Sequence, residues 1–383
     1  MPLPPHTLRP RIAYVITQSE IGGAQAHVAG LLQGLRGRIE PVVMAGGDGP
    51  LFDTAAALGA EAVRLPLLDN ALSPFRAAAT LSQLVQALRR VRPDLIHAHS
   101  GKAGALARVA AAVLRIPVVY TVHGFAFKAA APARQRLASR LIEWPLAPLT
   151  TRLVCVSEAE REMARALPIP ASRVCVVRNG IPDAAGRADP AAPLRRIAMV
   201  ARFAAPKRPD AVIRAFAATA LADCELVIAG DGPQRAAMRA LADELAPGRV
   251  ALPGNVADIA GLLASVQAFV LASDHEGFPL SVLEAMRAGL PVVATDLPGI
   301  REQLDGGRCG ILCPADDTGA LAAALQRLAG DAPLRGALGN AARQRWERCY
   351  GLEPMAEATW AVYEQALATA GRATRPLARP TRQ

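Results

Sequence analysis

The sequence contains no apolar run that approaches the roughly 18 residues a helix needs to cross a bilayer. Its first residues, Met1–Arg11, include four prolines and no apolar block of the kind that secretory signals carry. Disorder is excluded for all but the ends, since 52% of the residues are hydrophobic and only 20% are charged. These absences predict a folded protein of the cytoplasm, either soluble or bound to a membrane surface.

Cysteine is scarce, and its pattern predicts neither a disulfide framework nor a metal site. The six cysteines lie mostly in apolar, strand-like runs, as expected of reduced thiols in a core. Cys309 and Cys313 are spaced like metal ligands, but no second pair or histidine cluster lies near them in the sequence. The dinucleotide fingerprint Gly-x-Gly-x-x-Gly and the metal-holding pair Asp-x-Asp are both absent. We therefore expect no resident metal or cofactor.

Charge is divided unevenly along the chain. Residues 1–190 carry 22 basic and 13 acidic side chains, a net charge of +9, whereas residues 191–383 carry 21 and 20, a net charge of +1. A basic half suits a partner that bears phosphate, such as nucleic acid, an anionic membrane or a phospholipid-linked substrate. A preference for arginine explains why only three of the 43 basic residues are lysine, but it does not explain the uneven division.

Short apolar runs alternate with longer amphipathic stretches along the chain, a pattern typical of parallel sheets covered by helices on both faces. The sequence therefore predicts an α/β protein of two doubly wound domains, at residues 1–182 and 194–350. Proline and alanine between them predict a linker at 183–193. Residues 351–370 are expected to form a last helix that crosses back to the first domain, and residues 371–383 a disordered basic tail.

The apolar runs also give the position of each predicted strand in the chain. The predicted strands are Ile12–Thr17, Pro41–Ala45, Leu95–His97, Val118–Val122 and Leu153–Val156 in the first domain, and Arg196–Val200, Glu225–Ala229, Arg249–Leu252, Ala268–Leu271 and Pro291–Ala294 in the second. Ligands of such folds bind beyond the carboxyl ends of the strands, so we expect the two domains to share one cleft.

Glycine and histidine follow several strands of the first domain. Gly22 and Gly23 open a helix after the first strand, where the backbone can approach a ligand and helix N–H groups can meet an anion; a plain turn is the alternative. His97 and His99 alternate at the end of another strand. Zinc would need a third ligand, and hydrogen bonding in the core is the alternative for His97. His123 follows the next strand and is expected to face the cleft.

Residues 128–149 carry four basic side chains before their first acid, Glu143, with leucine and tryptophan interleaved. This composition is typical of an amphipathic helix at a membrane surface. A buried crossover helix with one exposed basic face is the alternative.

Two groups of residues in the second domain have the chemistry of a diphosphate site. Arg202 and Lys207 follow a strand. The guanidinium of Arg202 can form two parallel hydrogen bonds to a diphosphate, and the ammonium of Lys207 can add a compact positive charge. Residues 273–286 hold Glu276 and Glu284 around a loop and a helix start, where backbone N–H groups can cradle a diphosphate. Glu276 is expected to face the sugar, and Glu284 to accept two ribose hydroxyls. The alternative, two carboxylates on a surface turn, suits so apolar a segment poorly.

The run EGFPLSVLEAM, which contains Glu276 and Glu284, resembles the hallmark of the retaining glycosyltransferases of group 1 (family 4), which adopt the GT-B fold. The Gly-Gly loop, the His-Gly after the fifth strand and the Arg202…Lys207 pair occur in the family's order. The resemblance therefore covers nearly the whole chain. It implies two Rossmann-like domains that face each other across a cleft, with the acceptor on the first and the nucleotide-sugar on the second.

The resemblance also implies roles for single residues. It implies that Arg202 and Lys207 bind the donor diphosphate and act as catalytic cations. Glu276 and His123 are implied as catalytic residues that contact the transferred sugar. The implied donor-binding residues are Gly22, Gly23, Arg202, Lys207, Gly254, Asn255, Val256, Gly277, Phe278, Pro279, Leu280, Ser281 and Glu284. Since the turn at 254–256 lacks the aromatic and acidic residues of many relatives, uracil is favoured over guanine as the base.

By this resemblance, the chain moves a sugar, with retention, from a UDP-sugar to a saccharide or polyprenyl-diphosphate-linked acceptor. The stretch from His97 to Gly104 is similar to enzymes that build exopolysaccharide and lipopolysaccharide. With the basic first domain, it predicts contact with the cytoplasmic face of the inner membrane and no nucleic acid. The missing Asp-x-Asp predicts that the leaving diphosphate is stabilised without a metal. A sugar-nucleotide epimerase and a non-catalytic sugar-nucleotide-binding protein are the alternatives.

Overall fold

A computed structural model describes residues 9–71, 73–128 and 133–371. The chain divides into two units, residues 1–178 together with 353–383, and residues 179–352. Each unit is built on one parallel sheet, which confirms the doubly wound α/β fold that the alternating pattern predicts. Most of the predicted basic tail, residues 372–383, lies outside the described residues.

The sheet of the first unit is buried at its centre, as in doubly wound folds whose helices cover both faces of the sheet. The described strands are β1 (Arg11–Gln18), β2 (Glu40–Gly46), β3 (Glu61–Arg64), β4 (Leu95–His99), β5 (Val118–Val122), β6 (Arg152–Cys155) and β7 (Val174–Val176). Their order across the sheet is β3-β2-β1-β4-β5-β6-β7, and each neighbouring pair is parallel. Every residue of β4 and β5 is buried.

Helices connect these strands. The described helices are α1 (Gly23–Gly34), α2 (Leu51–Ala57), α3 (Pro74–Val91), α4 (Gly101–Leu114), α5 (Ala133–Leu146) and α6 (Glu158–Ala164), with short 3-10 turns at Ala147–Leu149 and Ala171–Arg173. The C-terminal helix, Leu352–Thr369, also packs on this unit. Its Tyr363 shares a 2.6 Å hydrogen bond with Nδ1 of His97 and donates another, of 3.1 Å, to the Tyr14 hydroxyl. In the described ranges, no helix combines the length and the apolar character needed to cross a membrane.

The second unit repeats the design. Its described strands are β8 (Arg196–Val200), β9 (Glu225–Ala229), β10 (Val250–Gly254), β11 (Ala268–Leu271), β12 (Val292–Thr295) and β13 (Gly310–Cys313), in the order β10-β9-β8-β11-β12-β13. Its described helices are α7 (Pro209–Ala217), α8 (Arg235–Leu245), α9 (Ile259–Ala264), α10 (Leu280–Ala288), α11 (Pro298–Gln303), α12 (Thr318–Gly330) and α13 (Ala332–Cys349), with a 3-10 turn at Asp305–Gly307.

The segment expected to be a linker, residues 183–193, lies within the second unit. Arg335 is buried there and donates from its guanidinium to the carbonyls of Pro190 and Ala192, at 2.8 and 2.7 Å. Arg343 forms two 2.9 Å contacts with the carboxylate of Asp183. Both ends of the segment are therefore held on α13 by arginine side chains.

Candidate active site

The sequence-predicted site residues follow strands at the carboxyl edge of each sheet. In a parallel sheet all the carboxyl ends meet at one edge, so residues distant in sequence become neighbours. In the second unit, Arg202 follows β8 and Glu276 follows β11, the strand next to β8. In the first unit, Gly22 follows β1, and His123 directly follows β5.

Backbone pairing joins the two segments that carry Lys207 and Glu276. Lys207 and Ser273 form an isolated antiparallel bridge between the loop after β8 and the loop after β11. The amide of Asp274 donates to the carbonyl of Pro206 at 2.8 Å, which extends the pairing. These bonds fix both side chains at the same point of the sheet edge.

The side chains complete the junction. The Lys207 ammonium donates to Oε1 of Glu276, and the Ser273 hydroxyl donates to the same oxygen at 2.6 Å. Only 20% of the Lys207 side chain and 10% of the Glu276 side chain are exposed. Burial strengthens such a pair because little water screens it. The structure thus brings together a cation and a carboxylate that the sequence separates by 69 residues.

Arg202 lies on the same edge but is not part of this junction. It lies two residues after the end of β8, next to the buried Ala201, and its side chain is exposed. The next amide, that of Phe203, donates to the carbonyl of Asp231 at 3.0 Å and holds the loop against the turn after β9. In that turn a Cβ at Gly230 would lie 2.0 Å from the Ala201 carbonyl oxygen, so the position requires glycine. Arg202 therefore projects from a rigid base.

The loop at residues 277–279 is held by its carbonyl groups. The buried Asn179 donates from Nδ2 to the carbonyl of Phe278 at 2.7 Å, and the buried Gln303 donates from Nε2 to that of Pro279 at 2.9 Å. The buried Phe278 ring packs edge-on against Tyr350, with centroids 5.5 Å apart. These contacts position the loop that leads into α10.

Helix α10 begins at Leu280, with Pro279 at its N-cap and no side-chain cap. The first N–H groups of a helix lack intrahelical partners and attract anions. Ser281 lies within this first turn and is half-buried. The expectation that residues 277–281 all present N–H groups needs one correction, because proline has no N–H and Pro279 contributes none.

Glu284 lies one turn further along α10 and is half-buried. Burial raises the pKa of its carboxyl group to about 7, and the nearby Arg287 opposes that rise. The carboxyl group therefore titrates near neutral pH. A ligand that prefers its ionised form must displace a proton below that pH.

The turn expected to meet the base, Gly254 to Val256, begins with the last residue of β10, the outermost strand on one side of the sheet. The amide of Gly230 donates to the carbonyl of Gly254 at 2.8 Å, which places this turn beside the one after β9. Gly254 has a φ of 82°, and the Asn255 side chain is exposed.

In the first unit, Gly22 and Gly23 stand at the start of α1, in the loop that follows β1. Gly22 is the N-cap and makes no side-chain cap bond. A Cβ added at Gly23 would meet no protein atom within 4 Å, so the packing of the unit does not itself demand glycine there. The neighbouring Gln25 donates to the Gln18 carbonyl at 2.8 Å and closes the loop.

Histidines cluster at the same edge. Rings of His27 from α1, His99 from β4 and His123 after β5 have centroids 4.9–5.4 Å apart. Both ring nitrogens of the neighbouring His97 are hydrogen-bonded, Nδ1 to the Tyr363 hydroxyl at 2.6 Å and Nε2 to the Thr121 hydroxyl at 2.7 Å. Burial and the neighbouring imidazoles lower the pKa of His99 well below its ordinary value, and the same causes lower the pKa of His123. These rings are therefore neutral at physiological pH.

Three residues of these sites received no role from the sequence. His27 lies in the largely apolar helix α1. Ser273 acts through its contact with Glu276, and Asn179 through the carbonyl of Phe278. The Arg-Asn-Gly run that contains Asn179 occurs in the order of the group 1 family, but the sequence assigns no role to its side chain.

Comparison with known proteins identifies two family models. Residues 195–331 match the model described as "Glycosyl transferases group 1", and residues 21–185 match "Glycosyltransferase Family 4". Both matches include the sheet edges described above.

Two characterised relatives share the sequence pattern. The chain is 30% identical over 266 residues to UDP-Gal:alpha-D-GlcNAc-diphosphoundecaprenol alpha-1,3-galactosyltransferase from Escherichia coli, covering 63% of this chain and 69% of that protein. It is 29% identical over 348 residues to the phosphatidyl-myo-inositol mannosyltransferase of Mycolicibacterium smegmatis, covering 85% of this chain and 86% of that protein.

Solved structures share the fold. The Anabaena HepE protein, crystallised with UDP and glucose, has a TM-score of 0.78 at 19% identity over 93% of this chain and 99% of its own. Sucrose-phosphate synthase from Thermosynechococcus elongatus has a TM-score of 0.77 at 21% identity, over 94% of this chain and all of its own. At such identities the likeness establishes architecture.

Proposed function

We infer the reaction of this chain from its family, because it belongs to the group 1 glycosyltransferases, with a family 4 region and the GT-B fold. We propose that it transfers a sugar from a UDP-sugar to a saccharide or lipid-linked acceptor, with retention at the anomeric carbon, in the assembly of cell-surface polysaccharide. The observation that carries the proposal is the half-buried junction of Lys207, Glu276 and Ser273 beside the start of α10.

The charges at this junction suit the departure of a nucleoside diphosphate. Negative charge develops on the leaving phosphate, and Lys207, Arg202 and the N–H groups at the start of α10 supply fixed positive potential for it. We propose that these groups replace the divalent cation that Asp-x-Asp enzymes use. Rates should then be equal with and without added Mg²⁺ or Mn²⁺, and a requirement for either ion would contradict this part of the proposal.

Positive charge develops at the anomeric carbon as the bond breaks. We propose that Glu276 contacts the transferred sugar there, together with His123 of the first unit, and that Glu284 accepts the ribose hydroxyls. The leaving phosphate takes the acceptor's proton, so that the new bond forms on the face from which the old one left. The product's anomeric coupling constant in NMR measures this outcome, and an inverted product would contradict retention.

Two observations support a lipid-linked acceptor: the name of one relative and the net positive charge of residues 1–190. The Escherichia coli relative is named for an acceptor in which a sugar is joined to undecaprenol through a diphosphate. The net charge of +9 on residues 1–190 suits a substrate of that class.

A donor panel tests the proposal. UDP- and GDP-sugars are scored first by thermal shift, since a bound donor raises apparent stability by mass action. The best donor is then incubated with and without a polyprenyl-diphosphate-linked sugar. We expect a UDP-sugar to bind and a glycolipid to form only with acceptor present. An epimerised nucleotide-sugar formed from the donor alone would contradict transfer.

Glu284 gives the donor site a pH dependence. Its carboxyl group titrates near pH 7 without ligand, and hydroxyl groups donate best to the ionised form. Below pH 7 the donor must therefore expel a proton, so we expect UDP-sugar affinity to rise about 10-fold from pH 6 to pH 8. Calorimetry with the UDP-sugar of largest thermal shift measures this change, because its diphosphate diester does not titrate in that range.

Glu284→Gln is the matched control. It keeps the size of the side chain and removes its titration, so its affinity profile should be flat between pH 6 and pH 8. An equal slope in both proteins would remove Glu284 from the donor site.

Helix α5 supports contact with a membrane surface. Leu137, Leu141 and Trp144 lie at helical spacing on one face and are 61–66% exposed. The only acid of α5, Glu143, is turned inward and forms a bidentate pair with the buried Arg108, at 2.8 and 3.1 Å. The face that remains outside carries apolar side chains and arginines, as helices at anionic lipid surfaces do. We propose that α5 binds anionic phospholipid.

Vesicle sedimentation tests this surface. Each arginine near an anionic bilayer contributes about 1 kcal/mol, so Arg134→Gln/Arg140→Gln should weaken binding to phosphatidylglycerol vesicles about 10- to 30-fold. Arg89→Gln/Arg90→Gln removes the same charge from the exposed end of α3 and should bind like the wild type. Binding should also fall steeply with salt. Equal loss in both double variants would show that net charge, not α5, governs the contact.

A further inference from the structure

His99 lies directly against His123, the histidine that the proposed transfer places on the sugar. Nδ1 of His99 and Nε2 of His123 are 3.1 Å apart, which is hydrogen-bond distance. The His99 side chain is wholly buried, whereas His123 is half-buried, so only His123 is accessible to a ligand from solution. His99 is therefore placed to act on the reaction through His123 and not on the sugar itself.

The register of the sheet produces this contact. His99 of β4 is level with Thr121 of β5, and His123 comes two residues after Thr121. Side chains two residues apart on an extended chain point to the same face, so the His99 ring reaches diagonally forward to His123. The preceding position repeats the geometry, since His97 is level with Val119 and its Nε2 is hydrogen-bonded to Thr121 at 2.7 Å. The pairing of β4 with β5 thus fixes both contacts.

Both rings of the His99–His123 contact are neutral. Burial and the neighbouring imidazoles lower the pKa of His99 well below its ordinary value, and the same causes lower the pKa of His123. Each ring therefore carries one proton at physiological pH. In a hydrogen bond between two neutral imidazoles, one nitrogen donates and the other accepts. This bond therefore determines which nitrogen of each ring carries the proton.

The other nitrogen of His99 indicates the direction of the bond. Nε2 of His99 is buried and has no hydrogen-bond partner among the described residues. A proton on Nε2 would leave a buried N–H donor unpaired, which is a rarer exception in proteins than an unpaired acceptor. With its proton on Nδ1, His99 donates to Nε2 of His123. The single proton of His123 is then on Nδ1.

We propose that His99 is a positioning residue for the transfer, which donates to Nε2 of His123 and so holds the N–H group of His123 on Nδ1. In this form, Nδ1 of His123 can donate a hydrogen bond to a hydroxyl of the transferred sugar, whereas the other tautomer would offer only a lone pair from that atom. The His27 ring packs at a steep angle to that of His123, with centroids 4.9 Å apart, and helps to fix its plane. The inference rests on the proposed function, since it takes His123 as a contact of the sugar.

Matched substitutions at position 99 test the effect on transfer. Leucine is similar in size to histidine and cannot form a hydrogen bond, whereas asparagine places an amide N–H group near the position of Nδ1. We expect His99→Leu to lower kcat about 10- to 100-fold, because a misplacement of about 1 Å at a reacting centre can cost about 10²-fold. UDP affinity should stay unchanged, since the diphosphate is assigned to Arg202 and Lys207. His99→Asn should recover most of the lost rate.

Two controls separate positioning from a general loss of stability. Tyr363→Phe removes the 2.6 Å hydrogen bond to the neighbouring His97 and leaves His99 and His123 unchanged, so its Tm should fall while its kcat stays like that of the wild type. His99→Leu is also made in a His123→Ala background, where a residue that acts through His123 has nothing further to lose. A kcat of His99→Leu within about 2-fold of the wild type, or the same fold loss with and without His123, would overturn the proposal. So would an equal loss of kcat in Tyr363→Phe.

The tautomer of His123 can be measured without turnover. The full-length chain is labelled with ¹⁵N at histidine, and the ring signals that vanish in His123→Ala are assigned to His123. Correlation spectra of the ring then distinguish a protonated from an unprotonated nitrogen. We expect the proton on Nδ1 in the wild type and a loss of that preference in His99→Leu. A proton on Nε2 in the wild type, or an unchanged tautomer in His99→Leu, would refute the inference. Because the spectra need no substrate, a chain that transfers no sugar would contradict the proposed function alone.

Discussion

We expect Glu276→Gln to fold like the wild type and to transfer sugar about 10²- to 10³-fold more slowly, the usual loss when one preorganised charge at a reacting centre is removed. Glutamine keeps the size of the side chain and can still accept from Ser273, whose hydroxyl lies 2.6 Å from Oε1. It removes the negative charge that stabilises the positive charge developing at the anomeric carbon of the sugar. The loss should therefore appear in kcat.

Donor affinity distinguishes this role from a general disturbance. UDP binding should change little in Glu276→Gln, because the carboxylate is assigned to the sugar and not to the diphosphate. Glu225→Gln is the matched control, since Glu225 forms a surface pair with Arg196 in the same unit, at 2.8 Å. Near-normal turnover in Glu276→Gln, or an equal loss in Glu225→Gln, would remove Glu276 from the reaction.

Most of the fold follows from periodicity alone. The runs Val118–Val122, Arg196–Val200, Glu225–Ala229 and Ala268–Leu271 are strands with the predicted bounds. A strand buried on both faces consists mostly of apolar residues, and a short apolar run of this kind is easy to find in a sequence.

The strands that the pattern misses are β3, β7 and β13, and all three lie at an edge of a sheet. In β3 only Val63 is buried, and in β7 every residue is half-buried. An edge strand has one neighbour and partial cover, so its sequence need not be a continuous apolar run. Its place is set by the sheet it joins.

The residues of the candidate site also fall into two groups, those that the sequence predicts and those that it does not. Lys207 and Glu276 could be predicted because each stands in a local run with a recognisable order, and the sheet edge then brings them together. His27 could not be predicted, because it lies in a largely apolar helix. Only the fold brings it close to His99 and His123, which the sequence places on and after other strands. Local sequence patterns predict which residues lie at the end of a strand. Which other residues they contact is determined by the order of the strands in the sheet.

Lys207→Met should have the second large effect. Methionine keeps the apolar stem and removes the ammonium, so Glu276 keeps its Ser273 contact but loses its cation. We expect UDP affinity to fall and kcat/KM to drop about 10²- to 10³-fold, because Lys207 is assigned both to the diphosphate and to the position of Glu276. Arg214→Met, which removes an exposed cation from α7, should stay within about 2-fold of the wild type.

A double variant shows whether the two residues act as one unit. Side chains in direct contact give non-additive effects, whereas independent sites add. If Lys207 works through its contact with Glu276 as well as on the diphosphate, Lys207→Met/Glu276→Gln should lose about 10³-fold, far less than the product of the single losses. Losses that multiply in full would separate the two roles. A Lys207→Met enzyme with wild-type UDP affinity would place the leaving diphosphate elsewhere on the sheet edge.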